Sequence, residues 1–541
     1  MYDGRAMTPA PTVDLATLER IGQGRAGSTT LRAAGLAAVK LILHLSLAGR
    51  YGYNGDELYF IACGKRAALG YVDHPPLVPW IARASGALFG PGLIALRFPS
   101  AIVGALAVLV TMLLTRQWGG GAFAQVLAGL AMIIAPAYLR MGSILCIPVF
   151  EPLLWTLAAY CIVLAIRRER SALWIAAGVV AGLGLLAKHT MLLWGAGLAL
   201  GMLATKARRH LVTPWPWLAG LMASLIFLPN LLWQWRHGWP TLEFLRGINE
   251  DQLNSIPRAL FLLGQLVYMH PFTLPLVVAG LAFFFSAAGE PHRMFGWLWI
   301  AALCILFATH AKPYYLAPAY PLVFAAGATR IELWLAAARH RWLRYAVLGA
   351  MTVGGVALAP IALPILPLQK TDALVARVLG SVLRSPADLT LEFHEEFGWP
   401  EQAHVVAKVY ASLTPADQQA TTILTHDYTQ ASAINFFGRN LGLPRAVSGH
   451  MTYHLWGPDR PRADVVIAYG FRRETLEALF GDVTALATIS HPLASSWQQN
   501  LSVYLCRSPK AALSDAWPRL KRYRFSDRAA PRGRAPGRGT E

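Results

Sequence analysis

Asp56 and Glu57 stand side by side in GDELYF, just after Gly55, and a carboxylate there can take the proton of a hydroxyl that comes within hydrogen-bond reach. Tyr59 follows in the same segment. Asp73, His74 and Pro75 fall in YVDHPP, where two prolines hold the chain in an extended turn and make one wall of a candidate cleft. Glu151, in IPVFEPLLW, puts a second carboxylate at the head of a very apolar run. Plain capping of a helix N-terminus, worth about 0.3–1 kcal/mol, is the competing reading there. Cationic groups form the other half of the set: Lys188 and His189 after GLGLLA, Arg236 and His237 in LLWQWRHGWP, and Lys312 with Tyr314 and Tyr315 in HAKPYYLAPAYP. Lysine meets a phosphate as a point charge, although a lysine at a bilayer edge can also simply snorkel. Acids that remove a proton, beside cations that hold a phosphate, suit the transfer of a group from a phosphorylated donor to a hydroxyl.

The elements that must position these residues are membrane spans. Hydrophobic residues make up 55% of the 541, charged residues 14%, and the mean hydropathy is +0.42. A hydrocarbon core about 30 Å thick takes roughly 20 apolar residues per helix. Eleven apolar segments fit, near 31–49, 93–115, 122–139, 150–166, 171–187, 190–205, 215–235, 258–286, 294–309, 314–333 and 342–366. The eighth is interrupted at His270-Pro271, as a surface helix followed by a span would be. Arg116, Arg167, Arg168, Arg170, Lys206, Arg208, Arg209, Arg330, Arg339, Arg341 and Arg344 fall in alternate short loops, which assigns those loops and the N-terminus to the cytoplasm. Every candidate chemical residue then lies on the opposite, outward face, beginning with the first outer loop, 50–92.

Residues 1–30 read as a cytoplasmic segment with no cleavable signal peptide. From about Pro367 the composition turns soluble. Strands at 421–425, 464–469 and 501–505, with helices at 428–441 and 472–480, predict a small α/β domain over 367–515 on the outer face. It has no Gly-rich phosphate loop, so support of the membrane site or capture of an acceptor is its expected role. Residues 516–541 read as a basic disordered tail that touches anionic lipid and carries no chemistry. That tail and the cytoplasmic loops account for much of the net charge of +19, which argues against nucleic acid as a partner. Among the five cysteines, Cys63 and Cys146 share the outward face and allow a disulfide, while Cys161 and Cys304 read as packing residues.

DELYF, GYVDHPPL, FEPLLW, PNLLWQWRHGWPTLEFLRG and AKPYYLAPAYP occur here in an order that resembles bacterial family 39/83 glycosyltransferases, the dolichyl-phosphate-mannose protein mannosyltransferase-like class. Relatives of that class include the aminoarabinose transferase of lipid A. The resemblance covers roughly residues 31–370 and extends more loosely beyond. It implies a polytopic α-helical membrane protein of the GT-C type, with about 11–13 transmembrane helices and a C-terminal soluble α/β domain. It also implies a polyprenyl-phosphate-linked sugar donor, an acceptor in the cell envelope (protein, lipid A or glycan) and an active site at the outer interface of the inner membrane. Asp56 matches the base of the first outer loop, with Glu57 alongside, and Glu151 the second acid, where relatives carry Asp. Lys188, Arg236, His237 and Lys312 match the basic residues that hold the donor phosphate, with His189, Tyr314 and Tyr315 next to them. Relatives place a basic residue before the acidic pair, where this chain has Gly55.

Inverting transfer in one displacement needs no metal, because cationic side chains already serve the leaving phosphate. Asp56, Glu57 and His74 are acceptable ligands for a divalent cation, and an optional ion is the alternative. A transporter or lipid flippase is the rival function, since proline-interrupted spans with charges also mark transport pathways. Against it, the charges gather at one interface and no repeat relates the two halves.

Overall fold

The computed structural model describes residues 26–248, 257–337, 342–379 and 387–525. The rest, including all but the beginning of the basic tail and the loop positions Arg339 and Arg341, lies outside the described residues.

All eleven apolar segments form helices or helix pairs. They are α1 (Ala26–Leu47), and then, past α2 (Gly55–Lys65) and α3 (Leu77–Phe89) of the first outer loop, α4 (Leu93–Gln117), α5 (Ala122–Ile134) with α6 (Pro136–Ser143), α7 (Phe150–Arg167), α8 (Leu173–Ala187), α9 (Met191–Leu203) and α10 (Trp215–Arg236). After α11 (Pro240–Ile248) come α12 (Arg258–Met269) with α13 (Leu274–Phe284), α14 (Arg293–Ala308), α15 (Tyr320–Ala337) and α16 (Leu343–Ala362). Among the described residues, six helices are long and apolar enough to cross a membrane, or eight if each bent pair is one span. Three of the eleven segments fall outside that set: α8 and α9 have only 15 and 13 residues, and α15, with 18, carries Arg330 and Glu332 in its second half. At about 1.5 Å per residue neither α8 nor α9 reaches across 30 Å of hydrocarbon alone.

Two of the long segments are broken. The α12/α13 pair turns by 90° at His270, which takes a φ of +75°. The α5/α6 pair bends by 61° where Pro136 enters. Proline has no N–H, so the Met132 carbonyl four residues earlier loses its helical partner. Lys40 of α1 replaces it: its buried Nζ donates to Met132 O at 3.1 Å and to Tyr138 O at 3.2 Å. A charge inside an apolar helix thus satisfies the backbone that the proline frees.

The soluble part begins with α17 (Leu368–Leu379), α18 (Ala387–His394), α19 (Trp399–Ala411) and α20 (Pro415–Ala420). It continues with β1 (Thr421–Thr425), α21 (Tyr428–Phe437), β2 (Ala446–Ser448), α22 (Thr452–Trp456), β3 (Val465–Tyr469), α23 (Arg473–Glu477), β4 (Phe480–Ile489) and β5 (Leu501–Pro509). The sheet order is β2-β1-β3-β5-β4, with β1 parallel to β2 and β3, and β5 antiparallel to β3 and β4. Two strands were not expected. β2 has three residues, and β4 is an edge strand whose exposed face gives little apolar alternation. Phe480 therefore starts a strand rather than ending a helix. The tail expectation also needs correction. Trp517–Leu520 forms a 3-10 turn, Tyr523 is buried, and Arg522 pairs with His450 through the backbone, so residues 516–525 belong to the domain.

This domain is fused to the first outer loop. Tyr59, Cys63, Tyr71 and Val72 of the loop share one apolar core with Ile423, Tyr428, Ile467 and Val503 of the domain and Phe244 of α11. Cys63 and Cys146 are free thiols, so the disulfide that their shared face allowed is not formed, and Cys304 is exposed rather than packed inside.

Candidate active site

Asn54, not Asp56, caps α2. Its Oδ1 accepts the Asp56 N–H at 2.9 Å, and Glu57 Oε2 accepts the Asn54 N–H at 2.9 Å, a reciprocal capping box. Asp56 is left exposed on the first turn. Across the domain interface, the Tyr428 hydroxyl donates to Asp56 Oδ1 at 2.7 Å. Tyr428 is held at the start of α21, where Asp427 caps the helix, and its ring packs 4.4 Å from that of Tyr59.

Glu57 does not stand beside Asp56 as a second catalytic acid. It is fully buried: Oε1 accepts from Arg97 Nε at 2.9 Å and from Leu145 N–H at 2.8 Å, and Oε2 accepts from Arg97 Nη2 at 2.8 Å. Arg97 also donates to Ala48 O, Gly52 O and Glu396 Oε2, and Glu396 in turn pairs with Arg140 at 2.7 Å. The expected acid is instead the anchor of an ionic network tying α1, α2, α4 and α6 to the soluble domain. Being so engaged, it is also unavailable for a cation site with Asp56 and His74. Among the described residues no three or more His, Cys, Asp or Glu gather as metal ligands.

Gly55 is explained by packing. A Cβ there would lie 2.8 Å from Trp399 Cζ2 and 3.0 Å from Thr429 Cγ2, so the soluble domain occupies the place where relatives carry a basic side chain.

Tyr59, Asp73, His74 and Pro75 come together as expected. Tyr59 Oη lies 2.8 Å from Asp73 Oδ1 and 2.7 Å from Thr452 Oγ1. Burial, reinforced by the Asp73 charge, pushes the Tyr59 phenol well above its ordinary value. His74 packs edge-on to Tyr59, and its Nδ1 is bound to Pro75 O at 2.9 Å. Its Nε2 is buried, 3.9 Å from Asp73 and without a hydrogen-bond partner.

Glu151 and Lys188 form a buried ion pair at 2.8 Å, and Thr190 Oγ1 donates to the other carboxylate oxygen. Lys188 Nζ lies over the rings of Tyr315 at 4.2 Å and Tyr314 at 5.7 Å. Burial is the largest single influence and pulls the Lys188 pKa down, but the charge and hydrogen bond of Glu151 together with the Tyr315 phenol outweigh it and the net shift is upward. His189 sits beside Asn230 and near enough to His74 to feel its charge; burial holds it down at about 4, so at neutral pH it is an uncharged hydrogen-bonding group. Contacts therefore run from Asp56 through Tyr428 and Tyr59 to His74, while Glu151, Lys188, Tyr315 and Tyr314 form a second group.

Arg236 and His237 do not join them. Both are exposed at the end of α10, where His237 stacks on Trp233 at 4.2 Å. Lys312, half-buried, precedes the 3-10 turn that carries Tyr314 and Tyr315 and has no ion-pair partner among the described residues. Sequence reasoning missed Arg97, Arg140, Glu396, Thr452 and Tyr428. Arg97 was detectable as a charge within an apolar span. Tyr428 lies 372 residues from Asp56, and nothing local marks it.

A bundle of apolar helices fused to a small α/β domain has counterparts among solved structures. Residues 73–233 match the family described as dolichyl-phosphate-mannose-protein mannosyltransferase. The chain is a multi-pass membrane glycosyltransferase of the GT-C class. It is 24% identical over 416 residues to the lipid A galacturonosyltransferase RgtD of Rhizobium johnstonii, covering 74% of this chain and 85% of the relative. Two structures of ArnT from Cupriavidus metallidurans share its fold, each with a TM-score of 0.57 over 89% of this chain and 98% of theirs. The one bound to undecaprenyl phosphate is 16% identical and the apo form 18%.

Proposed function

We propose that this enzyme moves a sugar from a polyprenyl-phosphate donor to an envelope acceptor at the outer face of the bacterial inner membrane. The N-terminus is then cytoplasmic and the soluble domain periplasmic. The observation that carries this reading is an exposed carboxylate and a held cation: Asp56 fixed by Tyr428 at the start of α2, and Lys188, largely buried, between Glu151 and the Tyr315 ring. The undecaprenyl phosphate bound by ArnT and the lipid A substrate in the name of RgtD support a lipid-linked donor and a saccharide acceptor.

In this mechanism Asp56 takes the proton of the acceptor hydroxyl as its oxygen bonds to the anomeric carbon. The bond from that carbon to the phosphate oxygen breaks, its electron pair leaves with the lipid phosphate, and the anomeric configuration inverts. Tyr428 aims the carboxylate. Lys188 stabilises the charge that grows on the departing phosphate, with Lys312 as a further contact. Arg236 and His237 meet lipid headgroups at the rim. No metal is required.

Purified enzyme in lipid nanodiscs, given undecaprenyl-phosphate-linked sugars and lipid A, tests the reading by mass spectrometry of the product. Transfer by the native enzyme and a loss of about 10²-fold or more in Asp56→Asn are expected. Full transfer by a folded Asp56→Asn would remove Asp56 as the base.

A further inference from the structure

β1, β2 and β3 are parallel, so the loops that follow them open on one edge of the sheet. The chain passes from β1 to β2 on one side and then crosses to β3 on the other, which makes β1 the point where the strand order reverses. Ligands of open α/β sheets sit in the crevice outside the carboxyl ends of such strands. A cavity of about 580 Å³ lies there, lined by His426 after β1, Gly449 after β2, and Gly470, Phe471 and Arg472 after β3.

Its other wall is basic. Backbone bonds from Arg522 N–H to Gly449 O at 2.9 Å and from Met451 N–H to Arg522 O at 3.0 Å pin the segment 519–524 against the sheet edge, which brings Arg519, Lys521, Arg522 and Arg524 to the cavity. Arg246 enters from α11. Glu243 is the one carboxylate in the lining, and Lys521 already holds it at 2.6 Å. Arg246, Arg472 and Arg519 are exposed and have no ion-pair partner among the described residues. Phe471, half-buried against His426, offers an apolar face, and Thr475 adds a hydroxyl. The volume suits a small molecule rather than a polymer groove.

We propose that this cleft binds a phosphorylated saccharide, its phosphates on the unpaired arginines and its ring against Phe471. Planar guanidinium forks recognise phosphate oxygens two at a time, and an uncompensated cluster of them is otherwise self-repelling. The site is separate from the transfer machinery but connected to it, since His426 is two residues before Tyr428. Binding does not depend on Asp56 being the base.

The test is isothermal titration of the full-length protein in nanodiscs with glucose 1,6-bisphosphate, with inorganic phosphate in a parallel arm. The native protein is expected to bind the sugar bisphosphate more tightly than inorganic phosphate, and more weakly as salt rises. Arg472→Ala/Arg519→Ala should weaken binding by about tenfold or more, and Thr475→Glu, which keeps both arginines, should do the same. Asp56→Asn should bind as the native protein does. Absence of binding to the native protein, or equal affinity in the double variant, overturns the site. Equal affinity for inorganic phosphate overturns the saccharide.

Discussion

Tyr428 of the soluble domain donates its hydroxyl to Asp56 of the first outer loop at 2.7 Å, so the candidate base is held from outside the membrane region. Its ring also packs on Tyr59, a contact that phenylalanine preserves. Tyr428→Phe therefore isolates the hydrogen bond. A bond to a charged group is worth about 1.5–3 kcal/mol, so kcat should fall by roughly 10- to 100-fold with little change in thermal stability. Steady-state transfer assays with melting curves check this; a kcat equal to that of the native enzyme rules the contact out as functional.

Lys188 gives a prediction with a defined pH range. Its pKa lies above the ordinary 10.5 because the charge and hydrogen bond of Glu151, with the Tyr315 phenol, together outweigh burial. Stability from that raised value is fully present below the unfolded pKa and is lost only as pH climbs through the still higher folded one. The gap in melting temperature between the native protein and Lys188→Met should stay constant from pH 7 to pH 9. A gap that closes over that range would mean the lysine titrates there, and that the pair is not the charged unit described.

How far the sequence reached depends on the distance over which each feature is encoded. Span positions, the break at His270 and strands such as 421–425 are written in local periodicity and in proline, and these agree with the structure. Asp56 and Lys188 stood out because charge beside apolar runs is locally visible. Glu57 looked equally chemical, and only the fold shows Arg97 taking both its oxygens from 40 residues away. The order in 516–525 was hidden because composition alone does not reveal that Tyr523 and Trp517 find a core to enter. Gly55 likewise has no meaning until Trp399 is seen against it.

Glu57→Gln separates anchoring from catalysis. Removing one partner from a buried ionic network costs about 3–5 kcal/mol, here because Arg97 and Arg140 would be left to share Glu396 with an excess of positive charge. The variant should melt lower and express poorly, yet at a temperature where it remains folded its KM for donor should be near that of the native enzyme. Glu57→Gln that keeps full stability but loses kcat as Asp56→Asn does would return Glu57 to the catalytic set. Arg97→Met should also melt lower, since it leaves the buried Glu57 carboxylate without its ion-pair partner.

Gly55→Lys tests how the soluble domain and the site are joined. The family resemblance implies a basic residue before the acidic pair, but here a Cβ would come within 2.8 Å of the Trp399 ring and 3.0 Å of Thr429. The ring of a buried tryptophan cannot shift without disturbing Leu58 and Ala433, its partners in a small apolar cluster. Lysine should therefore push the domain off the N-terminus of α2, and the Tyr428 to Asp56 bond should lengthen with it. Expected results are lower kcat and faster proteolysis within residues 387–525. Gly55→Ala should show the same effects in milder form, because its single methyl meets the ring at the same distance. Trp399→Phe in the Gly55→Ala background opens space beside the new methyl and should restore part of the activity. If the double variant recovers none while Trp399→Phe alone is active, steric displacement is not the cause, and the glycine must instead serve the acceptor's approach to Asp56.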